Sequence, residues 1–247
     1  MSIADKVLQL KQDIDDAYQA GYDKGTADVG DGYYDFFWDN FQQNGERSAY
    51  AYAFANNSGW NDTIFKPKYK FFTSDRYSFQ YMFQNHKGIT KITPDFFDLD
   101  KSVNYYGVYM FFGANIKTIE YDLRKCTSVG HMFRQCKSEE IKLHNLNSGH
   151  NINDNFMREC ATVVRLRWVD SIASQNLDVS SATLLDAESI RQTISILSDS
   201  GSGKTVSFST LAVDNAFETA EGLADGSESE EWNALVATKS NWTISLK

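Results

Sequence analysis

The sequence predicts an α/β repeat fold: a solenoid of short stacked units, with a coiled-coil helix at its N-terminus and an α/β cap at its C-terminus. Three observations predict it. The first is a phrase written four times. It reads Tyr81-Met82-Phe83-Gln84-Asn85, then Tyr109-Met110-Phe111-Phe112-Gly113, then His131-Met132-Phe133-Arg134-Gln135-Cys136, then Asn155-Phe156-Met157-Arg158-Glu159-Cys160. The second is an apolar pair behind each copy: Ile89/Ile92, Ile116/Ile119, Ile141/Leu143 and Val164/Leu166. The third is the spacing. Met82, Met110, Met132 and Phe156 stand 28, 22 and 24 residues apart, the period of leucine-rich-repeat-like solenoids. Units this short cannot bury an apolar face alone, but stacked units share a continuous core.

Taken in order, residues 1–30 read as an oligomerising helical arm and linker. Ser2 caps the helix with Asp5 as its partner in a capping box. Ile3, Val7, Leu10 and Ile14 follow at steps of 4, 3 and 4, continued by Ala17 and Gly21. That is a heptad seam, too narrow to be buried alone; its expected partner is the same helix in another copy, with docking on its own solenoid as the alternative. Residues 31–80 read as an N-terminal cap, with an aromatic helix from Tyr33 to Phe41 and a strand from Tyr50 to Phe54. Residues 81–179 hold the repeats, whose apolar pairs mark one short strand per unit in a common parallel sheet. The Met-Phe phrases are expected to form the turn or short helix on the other side. Residues 180–247 read as the C-terminal cap: a helix from Ala187 to Leu197 capped by Asp186, a strand at Thr205–Ser209, short helices at Ala212–Phe217 and Trp232–Thr238, and a last strand at Trp242–Leu246.

Composition excludes several classes. A net charge of −9 disfavours nucleic acid and anionic membrane as partners. No apolar run approaches the ~20 residues of a membrane helix, and the N-terminus lacks the pattern of a secretory signal. Cys126, Cys136 and Cys160 do not make a disulfide framework; Cys136 and Cys160 recur at one repeat position, as small buried side chains do.

The motifs for catalysis fall short. Gly201-Ser202-Gly203-Lys204-Thr205 has Ser198 where a phosphate loop needs its first Gly, and it follows a helix where that loop follows a strand. His144 and His150 have no Cys or carboxylate cluster that would make a zinc site. Glu139-Glu140 and Glu230-Glu231 read as solvated faces. The expectation is a chain that is not an enzyme and needs no cofactor or metal.

A binding surface is read from the strands. Aligned on Ile92, Ile119, Leu143 and Leu166, the residues before them are Lys91, Thr118, Lys142 and Arg165. Those after them are Thr93, Glu120, His144 and Arg167. Neighbours in a strand face opposite ways, so both columns stand outside the core and together are basic. Such charges can serve solubility alone on an open sheet face; read as a site, Lys91, Lys142, His144, Arg165 and Arg167 are the candidate ligand contacts for an anionic partner, with Tyr105 and Tyr106 on a loop as the alternative.

The Met-Phe phrases and their Ile/Leu pairs resemble the divergent leucine-rich repeats of bacterial surface proteins, with Phe and Met where Leu is usual. Ala20-Gly21-Tyr22-Asp23-Lys24-Gly25, Ser48 to Phe54, Phe65 to Tyr69, Glu231 to Leu235 and Asn241 to Ile244 are similar to stretches of phage and prophage tail-region proteins. The resemblance implies a non-enzymatic adhesion or receptor-binding component of a phage tail tip or fibre, in the virion or at an extracellular surface. It implies a homotrimer through the N-terminal helix, with other virion or tail proteins and a host-cell surface glycan or protein as partners. Two alternatives stand beside it: a purely structural virion or surface-layer subunit, and a polysaccharide-acting enzyme with its acids on the flank of the stack.

Overall fold

The computed structural model describes residues 53–56, 70–73, 75–77, 79–153, 155–200, 203–217 and 229–247. The heptad helix with Ile3, Val7, Leu10 and Ile14, and the aromatic segment 33–41, lie outside the described residues.

Among the described residues nine strands and three α-helices follow in order: β1 (Lys91–Ile92), β2 (Tyr105–Tyr106), β3 (Thr118–Asp122), β4 (Cys126–Ser128), β5 (Glu140–His144), β6 (Arg165–Val169), β7 (Leu177–Asp178), α1 (Ala187–Ser195), β8 (Lys204–Phe208), α2 (Thr210–Phe217), α3 (Glu230–Ala237) and β9 (Trp242–Leu246). All strand pairs are parallel. They form three sheets, ordered β1-β3-β5-β6, β2-β4 and β7-β8-β9. Parallel neighbours need a crossover of a dozen or more residues; the last three Met-Phe phrases lie in those crossovers, and the first precedes β1.

β3, β5 and β6 share one burial pattern: the second and fourth residues are buried, the rest half-buried. Ile92, Ile119, Ile141 and Leu166 therefore make one buried row, and Tyr121, Leu143 and Trp168 the next. A second ladder joins the turns. The N–H groups of Phe54, Phe83, Phe111 and Phe133 donate to the carbonyls of Met82, Met110, Met132 and Phe156 at 2.9, 2.9, 2.9 and 3.1 Å. Those bonds hold the phenylalanines one above another. Phe54–Phe83, Phe83–Phe111 and Phe111–Phe133 stack at 5.2, 5.5 and 5.4 Å with interplanar angles of 10°, 6° and 7°. Phe133 then meets Phe156 edge-on.

The expected strand over Tyr50–Phe54 is corrected at its described end, where Ala53 to Asn56 form a turn; residues 50–52 lie outside the described residues. Tyr52-Ala53-Phe54-Ala55-Asn56 copies Tyr81-Met82-Phe83-Gln84-Asn85 with Ala in place of Met. Its small residues mimic a period-2 strand pattern. The hydrogen bonds place it instead in the turn ladder, with Asn56 N–H donating to Gln84 O at 2.7 Å.

At the far end, α1 closes the sheet. β6 is an edge strand, whose free N–H groups would invite another chain. Ser189 Oγ accepts from Leu166 N at 2.9 Å and Gln192 Oε1 from Trp168 N at 3.2 Å. Asp186 caps this helix by accepting from Ser189 N, and Ser229 does the same for α3 at Trp232 N. β7 falls within the expected repeat region yet pairs with β8, beyond the expected boundary at 179/180. No helix among the described residues is long and apolar enough to cross a membrane.

Candidate functional site

The exposed face of the four-stranded sheet is built row by row from the strand register. Lys91, Thr118, Glu140 and Arg165 lie side by side, and Glu120, Lys142 and Arg167 form the next row. This corrects the alignment drawn from sequence. Ile141, not Leu143, pairs with Ile119 and Leu166. Ile141 and Leu143 are both apolar and two residues apart, so a slip of two keeps the same side chains buried. The hydrophobic pattern cannot tell the two registers apart.

The correction changes the chemistry of the face. Lys142 and His144 were expected in basic columns; the register sets Lys142 beside Glu120 and His144 beside Asp122, and both side chains meet Glu120. Lys142 Nζ and His144 Nε2 each lie 2.8 Å from Glu120 Oε1. Arg165 donates from Nε and NH2 to Glu140 Oε2 at 3.2 and 3.1 Å. Arg167 grips both oxygens of Asp186 at 2.9 and 2.7 Å, a bidentate fork. Lys91 is exposed, with no ion-pair partner among the described residues. The face is thus a fixed array of both signs rather than a basic patch.

Partial burial opposes the charge on Glu120, but hydrogen bonds from Lys142 and His144 outweigh it and hold its carboxyl below the usual range. Asp186 is opposed by burial too, and bonds from Arg167 and Ser189 bring it down to about 2.

Tyr105 was expected as an exposed loop contact and is instead fully buried. Its hydroxyl meets that of Tyr121 at 2.5 Å, and its ring packs edge-on to Phe79 at 5.0 Å. It opens a two-residue strand and points inward, because alternation puts one of any adjacent pair into the core. Tyr106 takes the outer side. The Arg76 guanidinium lies over its ring at 5.7 Å and over that of Tyr77 at 5.0 Å.

Sequence reasoning missed the side chains on the turns. Tyr81, Tyr109 and His131 form a half-buried stack, with ring centroids 5.0 and 4.7 Å apart. A groove of about 570 Å³ is lined by Asn85, Lys87, Gln135, Lys137 and Glu159, among others. The signal was present in sequence at the fifth place of each phrase, Asn85, Gly113, Gln135 and Glu159, which is polar in three of the four.

The histidines split by environment. His144 sits on the outer face, whereas His150 is buried, with Nε2 donating to Leu123 O at 2.8 Å and Nδ1 accepting from Asn147 N at 2.9 Å. Among the described residues no group of three or more His, Cys, Asp or Glu could hold a metal ion. Comparison with protein-family models, curated proteins and solved structures finds no match.

Proposed function

We propose that the chain is a non-enzymatic adhesion or receptor-binding component, of the kind found at a phage tail tip or fibre. In this reading the parallel stack is a leucine-rich-repeat-like solenoid. It presents the outer face of its four-stranded sheet to a host-cell surface glycan or protein, and the N-terminal helix gathers copies into a trimer.

The observation that carries the reading is the array of locked charges on that face. Glu120, Glu140 and Asp186 each hold a cation in place, so the polar groups are ordered before any partner arrives. Preorganised groups lose little entropy on binding, and alternating charge fixes the register of a partner more than it raises raw affinity. The same pairing speaks against a glycosidase. Its general acid needs a raised pKa, whereas the carboxyls of Glu120 and Asp186 are lowered.

The test is attachment to host cells, together with a glycan array, for the parent and for His144→Ala/Arg165→Ala. Exposed ion pairs contribute about 0–1 kcal/mol, so the thermal midpoint should stay within a few degrees while attachment falls at least about tenfold, the equivalent of ~1.4 kcal/mol. Unchanged attachment would refute the face as the binding surface and favour a structural subunit. Reducing-sugar release from host polysaccharide would restore the enzyme. Light scattering should give a trimer for the full chain and a monomer for a chain starting at Gly30; a monomeric full chain removes the arm's assigned role.

A further inference from the structure

Each turn holds residues in the left-handed region of the backbone. One column is Tyr81, Tyr109 and His131, with φ of 58°, 61° and 59°. Another is Asn85, Gly113, Gln135 and Glu159, with φ of 52°, 64°, 60° and 65°. A side chain there costs on the order of 1 kcal/mol against Gly. Gly113 has the inexpensive solution, and it also leaves room for its neighbour: a Cβ would lie 2.1 Å from Asn85 Oδ1. At the other positions the side chain is kept despite the cost. In the first column ring stacking offsets it. In the second, Asn85, Gln135 and Glu159 line the groove of about 570 Å³.

The charge in this groove runs against that of the chain. Lys87 pairs in parallel register with Asn115. Lys137 N donates to Ala114 O at 2.8 Å, placing Lys137 one strand beyond Asn115. Two inter-strand spacings set the lysine Cα atoms about 10 Å apart. Neither ammonium has an ion-pair partner among the described residues. Glu159 also lines the groove, but Arg134 and Arg158 lie 3.4 and 3.3 Å from it, and Gln135 Nε2 donates to it at 2.5 Å. Its charge is therefore already answered. An excess of cations gathers here on a chain of net charge −9. Such local reversal concentrates anions.

We infer that this groove binds a linear anionic carbohydrate. Negative groups repeated along the ligand meet Lys87 and Lys137, and its hydroxyls meet the amides of Asn85 and Gln135. The anion is a carboxylate or a phosphate, for which the lysines supply the same point charge. The site is independent of the strand face, and its test uses different variants.

Binding of the full chain to immobilised polyuronate, to a polyol-phosphate polymer and to a neutral glucan is measured by biolayer interferometry at low and high ionic strength. The inference expects binding to at least one anionic polymer, weakening as salt rises, and none to the glucan. Binding to one polymer alone assigns the anion as carboxylate or phosphate, and binding to both assigns the shared charge. Lys87→Glu/Lys137→Glu should reduce affinity about 10- to 100-fold, taking ~1.4 kcal/mol per tenfold change. Lys101→Glu, at an exposed lysine outside the groove, should leave it unchanged. Circular dichroism confirms that each variant folds. Failure to bind either anionic polymer, equal affinity in the double variant, or equal loss in Lys101→Glu would overturn the site.

Discussion

Phe111→Ala tests the packing on which both surfaces depend. Phe111 is fully buried, between Phe83 at 5.5 Å and Phe133 at 5.4 Å, with Tyr121 edge-on at 5.6 Å. Truncating a buried Phe costs about 3–5 kcal/mol. Aromatic pairs add about 0.5–1.5 kcal/mol beyond burial, and this ring has three such partners, so the expected loss is near the upper end, about 5 kcal/mol. With a urea slope of ~2–3 kcal/mol/M, the unfolding midpoint should fall by about 2 M. Phe111→Leu keeps most of the apolar volume and gives up the stacking, so it should cost about 1.5 kcal/mol. Equilibrium urea unfolding, followed by far-UV circular dichroism and tryptophan fluorescence, measures both. A loss under ~1 kcal/mol in the Ala variant would mean that the ring can leave the column freely, and the ladder of turns would no longer account for the order of the stack.

Three further outcomes follow from buried polar groups. Tyr121→Phe strands the Tyr105 hydroxyl and should cost about 1–3 kcal/mol, whereas Tyr105→Phe/Tyr121→Phe should cost less than the single change; a double-mutant cycle without coupling would refute the 2.5 Å pair. Burial lowers His86 from 6.5 to about 4, against a smaller opposing bond to Phe54 O. The unfolded chain therefore takes up the proton first, and stability is full above pH 6.5 and falls by about 3 kcal/mol as pH approaches 4. Thermal midpoints across that window should flatten in His86→Ala, and an unchanged slope would refute the assignment. Burial pushes Cys126 up to about 12 and raises Cys136 and Cys160 as well, so native protein should resist a thiol reagent at mildly alkaline pH and react at all three sites once unfolded in urea; fast labelling of the folded chain would contradict this burial.

Local pattern was legible in the sequence because it needs only neighbours. The apolar pairs fall in or beside the strands β1, β3, β5 and β6; Asp186 caps α1; and the strand opening at Lys204 was anticipated to within a residue. The inward side chains of Cys136 and Cys160 also follow from their repeated position. Three things were decided only in three dimensions. The register of β5 was one, since Ile141 and Leu143 satisfy the same burial pattern two residues apart, and only the match of Glu140 to Arg165 and of Lys142 to Glu120 separates them. With the register went the charge of the face: cations that look free along the chain meet carboxylates from strands some 22 to 25 residues away. The turn phrase around Phe54 was another, hidden by alanines until its hydrogen bonds to the next turn placed it. The last was the direction of Tyr105. A two-residue strand has too little pattern to say which side faces inward, and the hydroxyl of Tyr121 waiting in the core settles it.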